Sequence, residues 1–350
     1  MSIADVPLTE SAPVAVVVVT PSPECARRTQ RALEADGLAR VAEVVPTLAT
    51  ARRLVLSARA DVVVFDPAGI ADVGVEIDEL MSARPVPIVV LAGAEDSALA
   101  VEALALGAVA ATHSLRSDDL GTPHADRLRR AVAQASETRP VRRPPIPLGT
   151  LPDLPFLKAA TRLLAIVGGT GGIGAIEALL GRLPPSIPGA IVQLALPPEQ
   201  IEALVARLDR VTVLDARVAR GGEVITPGVV WFAPGDRQVA VRRHGERSVL
   251  DVGPRLSAKP SADALLHSIA ATGGRDCVGV VLTGTGVDGA QGLLAMRNAG
   301  ARTFAESRSS AVADALPGHA AHIGAAEAVC DLKELPWRIL ESALVTQISA

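Results

Sequence analysis

From Val14 onward the chain alternates short valine-rich runs with longer stretches of mixed polarity: VAVVVV, PECARRTQRALEADG, ARVAEVV, LATARRLVLSAR, DVVVFD, PIVVLAG and DSALAVEALALGAVAAT. Short continuous apolar runs separated by helix-length segments predict parallel strands covered on both faces. A doubly wound α/β unit over residues 13–136 is therefore expected, behind a flexible tail at 1–12. Residues 137–160 carry six prolines after Arg139. Proline lacks the amide a helix needs, so an extended spacer is expected there.

The pattern resumes with LLAIVGGTGGIGAIEALLGRL, which reads as a buried strand, a glycine turn and a helix, followed by the strand AIVQLAL. RVTVLDA, VVWFAPG, QVAVRR and CVGVVLTG predict further strands, and SADALLHSIAATGG and DGAQGLLAMRNAG predict helices. A second, mostly parallel α/β unit with a β-rich insertion is expected over 161–345.

Composition narrows the chemistry. Of 350 residues, 49% are hydrophobic and only 2% aromatic, with no tyrosine, so the cores must be built from Ala, Val and Leu. A net charge of -4 provides no general basic field, which argues against nucleic acid as a partner. Cys25, Cys277 and Cys330 lie far apart without ligand spacing, as expected of buried thiols rather than a disulfide framework or a zinc site. The first residues hold acids where a secretion signal needs bases, and no apolar run approaches the roughly 18–20 residues that span a bilayer. A cytoplasmic chain without membrane insertion is expected.

GGTGGIG places Gly169, Gly171 and Gly174 in a G-x-G-x-x-G spacing between a strand and a helix, as in dinucleotide folds. Such folds carry an acid at the end of the next strand to bind ribose. Here that strand is AIVQLALPP, with no acid before Glu199. A nucleotide-binding regulator built on this turn thus remains an alternative with half its signature missing.

Over residues 14–135 the strand and helix pattern, with DVVVFDPAG at the third strand, resembles the receiver domain of response regulators. The resemblance implies two acids after the first strand to hold a divalent metal, a phospho-accepting Asp, a hydroxyl after the fourth strand and a Lys after the fifth. Asp66 matches the acceptor, but the acid pair falls on Thr20 and Pro21, the hydroxyl on Ala92, and the Lys region reads ATHSL. Phosphoryl transfer depends on cations that neutralise developing oxygen charge, so Asp66 is expected to be a leftover carboxylate at a strand end.

VITPGVVWFAPG, KPSADALL, VGVVLTGTGVDGAQGLLAMRNAGARTFAE and SSAVADALPGHAA occur in an order similar to that of the catalytic domain of CheB-type protein-glutamate methylesterases, over residues 163–340. That family hydrolyses γ-glutamyl methyl esters on chemoreceptor helices, and the resemblance implies a Ser, His and Asp mechanism without metal or cofactor. The nucleophile position falls on Gly169, and the base on Leu194, or on Ala195 if the longer loop is placed differently. The third member is retained as Asp288. A further family His, after A-P-G, is Gln238 here.

Thr170, one residue past the lost Ser, and His319, in LPGHAA, are the conceivable substitutes. A methylesterase or glutamine deamidase with a rearranged site is the corresponding alternative. Without an imidazole to orient, Asp288 is expected to cap its own helix at DGAQGLLAMR. Lys259 and Asp263 are expected to close the domain by hydrogen bonds, His244 and His267 to be ordinary surface or core residues, and Trp231 to be core. The reading that results is a non-catalytic chemosensory protein, of chemotaxis or pilus-motility type, whose partners are chemoreceptor cytoplasmic helices, chemosensory kinases or coupling proteins.

Overall fold

The valine-rich runs form strands where the pattern places them. In the first half these are β1 (Val14–Val19), β2 (Ala39–Val45), β3 (Val62–Phe65), β4 (Ile88–Leu91) and β5 (Ala110–Thr112). Between and after them lie α1 (Pro23–Glu34), α2 (Leu48–Leu56), α3 (Val73–Ala83), α4 (Ser97–Ala105) and α5 (Pro123–Ser136). The helices begin where short polar side chains can cap them. Ser22, Thr47, Asp72 and Thr122 accept from amides in the first turns of α1, α2, α3 and α5, and prolines open α1 and α5. The computed structural model describes residues 12–70, 72–92, 96–116, 119, 122–141 and 163–345. The tail expected at 1–12, as far as residue 11, and the spacer expected at 137–160, from residue 142 on, lie outside them.

The first sheet has the order β2-β1-β3-β4-β5, all pairs parallel, as doubly wound topology requires. The second half contains β6 (Leu163–Gly168), α6 (Gly172–Leu180), β7 (Ala190–Leu194), α7 (Pro198–Val211), β8 (Asp215–Val218) and β9 (Val229–Phe232). It continues through β10 (Arg237–His244), β11 (Arg247–Arg255), α8 (Ala262–Gly273), β12 (Cys277–Val281), α9 (Ala290–Asn298), β13 (Arg302–Glu306), α10 (Ala315–His322), β14 (Ala328–Cys330) and α11 (Leu335–Val345). Its parallel sheet runs β14-β13-β12-β6-β7-β9-β8, and β10 and β11 form a separate antiparallel hairpin, the β-rich insertion.

Two details differ from the pattern. RVTVLDA is not one strand: α7 runs through Val211, because Ile201, Leu204 and Leu208 bury one helical face, and only Asp215–Val218 pairs with β9. Strand β11 is not announced by hydropathy, since Ser248, Asp251 and Gly253 interrupt its apolar positions. The cores are aliphatic apart from Phe65, Phe232, Phe304 and the 8% exposed Trp231, which is core as expected. Cys277 and Cys330 are buried and Cys25 half-buried, none of them in a disulfide.

Candidate functional site

Strand β6 sits mid-sheet, and the chain departs from it towards β7 on one side and later towards β12 on the other. The loops leaving β6 and β12 therefore diverge at a topological switch point, where open α/β sheets place their ligands. Those loops are the glycine turn, 168–171, and the LTGTGVDG segment. Around them opens a cleft of about 910 Å³, walled by the second half and by Arg127, Arg130 and His113 of the first.

Thr283 builds the floor. Fully buried, it donates its hydroxyl to the carbonyls of Thr170 (2.8 Å) and Ala313 (3.3 Å), and accepts from the Ala313 amide (2.8 Å). Its own amide donates to the Glu306 carboxylate (2.9 Å), and the Gly169 amide donates to its carbonyl (2.8 Å). Gly171 takes φ +78°, and a Cβ there would lie 2.7 Å from that of Val312, so the turn tolerates only glycine. Thr283, Glu306 and Val312 were not singled out from the sequence. The available signal was a hydroxyl and an acid at the ends of otherwise apolar strands.

Gly169 stands at the head of this turn, half-buried and facing the Gly284–Thr285 backbone; a Cβ there would lie 3.2 Å from the Gly284 Cα. Leu194, at the end of β7, is 3% exposed, and its Cδ2 lies 3.3 Å and 3.2 Å from where Cβ atoms on Gly168 and Gly172 would be. Hydrocarbon thus lies against the turn. Ala195 is exposed. The Thr170 hydroxyl is 3.2 Å from that of Thr285, a neutral partner that cannot take its proton as a base would.

Asp288 does not cap its own helix, which corrects the expectation from DGAQGLLAMR. Its Oδ1 accepts from the Ser261 hydroxyl (2.9 Å) and the Asp263 amide (2.9 Å), and its Oδ2 from the Ala262 amide (2.8 Å), so it caps α8. Asp263 returns the bond, with Oδ1 accepting from the amides of Gly289 (2.9 Å) and Gly292 (2.6 Å) at the start of α9. Each helix is capped by the acid of the other, across 25 residues of sequence. Beyond its side chain's local needs, this satisfies orphan amides and places negative charge at both positive helix ends.

Gln238 clamps the same segment, accepting from the Ser261 amide (2.8 Å) and donating to the Ser261 carbonyl (3.0 Å). Lys259 is exposed at the cleft rim. His319 lies in the last turn of α10, rather than in a loop, and is not among the residues that line the cleft. His244 and His267 are exposed. Among the described residues no group of three His, Cys, Asp or Glu could hold a metal. The turn is poorly suited to phosphate as well, since the Gly169 and Gly172 amides are both bonded to backbone carbonyls.

The first sheet has its own switch point between β1 and β3, and Asp66 lies there, 6% exposed. Its Oδ2 accepts from the Thr20 hydroxyl (2.7 Å) and its Oδ1 from the Ala68 amide (3.1 Å). Burial, and secondarily the Asp66 carboxylate, raise the pKa of the adjacent Cys25 thiol. Ala92 is buried, and His113 of ATHSL packs its ring against His124 at 5.7 Å.

Residues 164–339 match the family model described as CheB methylesterase. The chain is 35% identical over 349 residues to protein-glutamate methylesterase/protein-glutamine glutaminase 4 of Anaeromyxobacter dehalogenans, covering 96% of this chain and 97% of that one. With the Thiobacillus denitrificans protein-glutamate methylesterase/protein-glutamine glutaminase it shares 33% identity, covering 86% and 88%. The solved catalytic domain of Thermotoga maritima CheB methylesterase is 24% identical, covers 52% of this chain and 98% of that one, and superposes with a TM-score of 0.49. On the family match and the full-length relatives together, this chain belongs to the CheB methylesterase family.

Proposed function

We propose that this chain is a non-catalytic chemosensory signalling protein of the cytoplasm, acting by binding chemoreceptor cytoplasmic helices or the kinases and coupling proteins assembled with them. The observation that carries this reading is the glycine turn. Gly169 offers no nucleophile, and Leu194 lays hydrocarbon on the flanking glycines where a base would stand. Hydrolysis of a carboxylic ester by a triad needs an oxygen nucleophile and an imidazole to take its proton. Loss of either alone typically lowers turnover by roughly 10⁶-fold. Asp288, the remaining member, is held by three donors at the start of α8.

The switch that would govern such a catalyst is reduced in the same way. Thr20 and Pro21 replace the acids a divalent cation needs, and the Thr20 hydroxyl bonds the Asp66 carboxylate directly. What persists is a shaped cleft floor and the surfaces around it, which suits binding rather than turnover. The test is retention on immobilised chemoreceptor cytoplasmic fragment, kinase and coupling protein from the source organism. Retention on at least one, at equal strength with and without acetyl phosphate and Mg²⁺, is expected; retention on none of the three overturns the reading.

A further inference from the structure

Helix α5 turns one stripe into the cleft. Arg127, Arg130, Ala131 and Gln134 fall at i, i+3, i+4 and i+7 spacing, and all four line it. The face that holds the fold is a different one, with Ala125, Leu128, Val132 and Ala135 buried. Arg129, although adjacent in sequence, is engaged within the first half: it pairs with Asp126, lies 3.4 Å from Asp36 and donates to the Ala32 carbonyl at 2.8 Å. Arg127 and Arg130 have no carboxylate partner among the described residues, and the Nε of Arg130 donates to the Asp126 carbonyl at 3.2 Å.

Charge in the cleft is arranged by wall. Among the described residues the first half lines it with Arg127, Arg130 and His113 and with no acid. The second half adds Lys259, exposed at the rim. Its acids are mostly engaged, since Asp236 pairs with Arg255 at 3.0 Å and Asp288 is held by three donors, which leaves Glu199. A basic wall stands out in a chain of net charge -4, and a cleft focuses the field of such a wall. Much of the remaining lining is apolar, with Leu196, Leu256 and Leu316.

We propose that this stripe docks an acidic α-helix of the partner, with carboxylates one turn apart set against Arg127 and Arg130 and an apolar face turned to the cleft floor. The inference rests on the binding role proposed above and states what the partner presents. Arginines three residues apart on a helix stand about 4.5 Å apart along its axis, a spacing that acids at i and i+3 of a second helix match. Two turns of a helix about 10 Å wide occupy roughly 850 Å³, against about 910 Å³ in the cleft. A second copy of this chain, related by a two-fold axis, would set basic stripe against basic stripe. A nucleic acid would be repelled by the net negative charge of the chain.

Fluorescence anisotropy on the full chain tests this with two labelled, helix-forming peptides, identical except that one carries Glu and the other Gln along one face. The Glu peptide is expected to bind at about 0.05 M salt and to weaken roughly tenfold by about 0.5 M, and the Gln peptide to bind roughly tenfold more weakly at the lower salt. Arg127→Glu with Arg130→Glu is expected to abolish binding of the Glu peptide. Arg52→Glu with Arg53→Glu, the same charge change at an exposed pair on α2, leaves it intact. No binding of the Glu peptide, equal binding of the two peptides, equal loss in both double variants, or tighter binding of a short DNA duplex overturns the proposal. The binding role is tested apart from the stripe by the immobilised receptor fragment, kinase and coupling protein. If Arg127→Glu with Arg130→Glu is retained there as strongly as the unaltered chain, the role stands and the stripe is not its surface.

Discussion

Asp66 and Asp288 both follow parallel strands at a switch point, yet they are held in different ways. Asp66 is buried and satisfied locally, by one hydroxyl and one amide within its own loop pair. Asp288 is exposed and satisfied at a distance, tying the start of α8 to the loop before α9. The first is an isolated group whose loss affects one pocket. The second is one half of a reciprocal cap that joins two helices, so structure alone gives a reason for its presence. An acid at the cleft is therefore no measure of retained chemistry.

The largest effect is expected at Leu194, which lines the same cleft as Asp288 but not the pocket of Asp66. Leu194→Ala should cost about 3 kcal/mol, because it empties a buried contact against a turn whose backbone cannot collapse inward. Urea denaturation measures it, and a cost under about 1 kcal/mol would show that the leucine does not fill the space against the turn. Asp288→Ala should cost about 2 kcal/mol by the same assay, as loss of a charged cap does, and Asp263→Ala a similar amount. If Asp288→Ala is neutral, the reciprocal cap is not what holds it.

Thr20→Val should cost about 1–2 kcal/mol by leaving the buried Asp66 oxygen without its hydroxyl donor. The smallest effect concerns Cys25. With its pKa raised, the thiolate fraction at a given pH is reduced, so alkylation at pH 8 should be slower than for a free thiol. The rate should climb only as pH rises past the usual thiol range. Asp66→Asn removes a negative neighbour, lowers that pKa and should speed alkylation by roughly twofold, read by mass spectrometry. A slower rate in that variant would mean Asp66 does not act on the thiol.

Much of the fold was legible because its signals are local. Apolar runs such as VAVVVV and DVVVFD, and the GGTGG turn, carry strand and turn character within a few residues. Gly169 and Leu194 were singled out through the resemblance alone, which sets them against the nucleophile and base positions of the family; both line the cleft. The capping role of Asp288 was not legible, since D-G-A before a helix looks like an ordinary N-terminus and its true partners lie 25 to 27 residues upstream. Thr283 was hidden likewise, because the two segments it joins meet only in the tertiary structure. The all-round burial of α4 was not read from SALAVEALA, which passed as one more stretch of mixed polarity, because its second covering lies in the other half of the chain.

The central claim is that the cleft keeps a shape and no hydrolytic chemistry. Methanol release from a methylated chemoreceptor cytoplasmic fragment tests it most directly, with the unaltered chain beside Gly169→Ser, whose added hydroxyl Leu194 cannot activate. Both proteins should release methanol no faster than buffer; release by the unaltered chain that disappears in Thr170→Ala or Asp288→Ala would contradict the account.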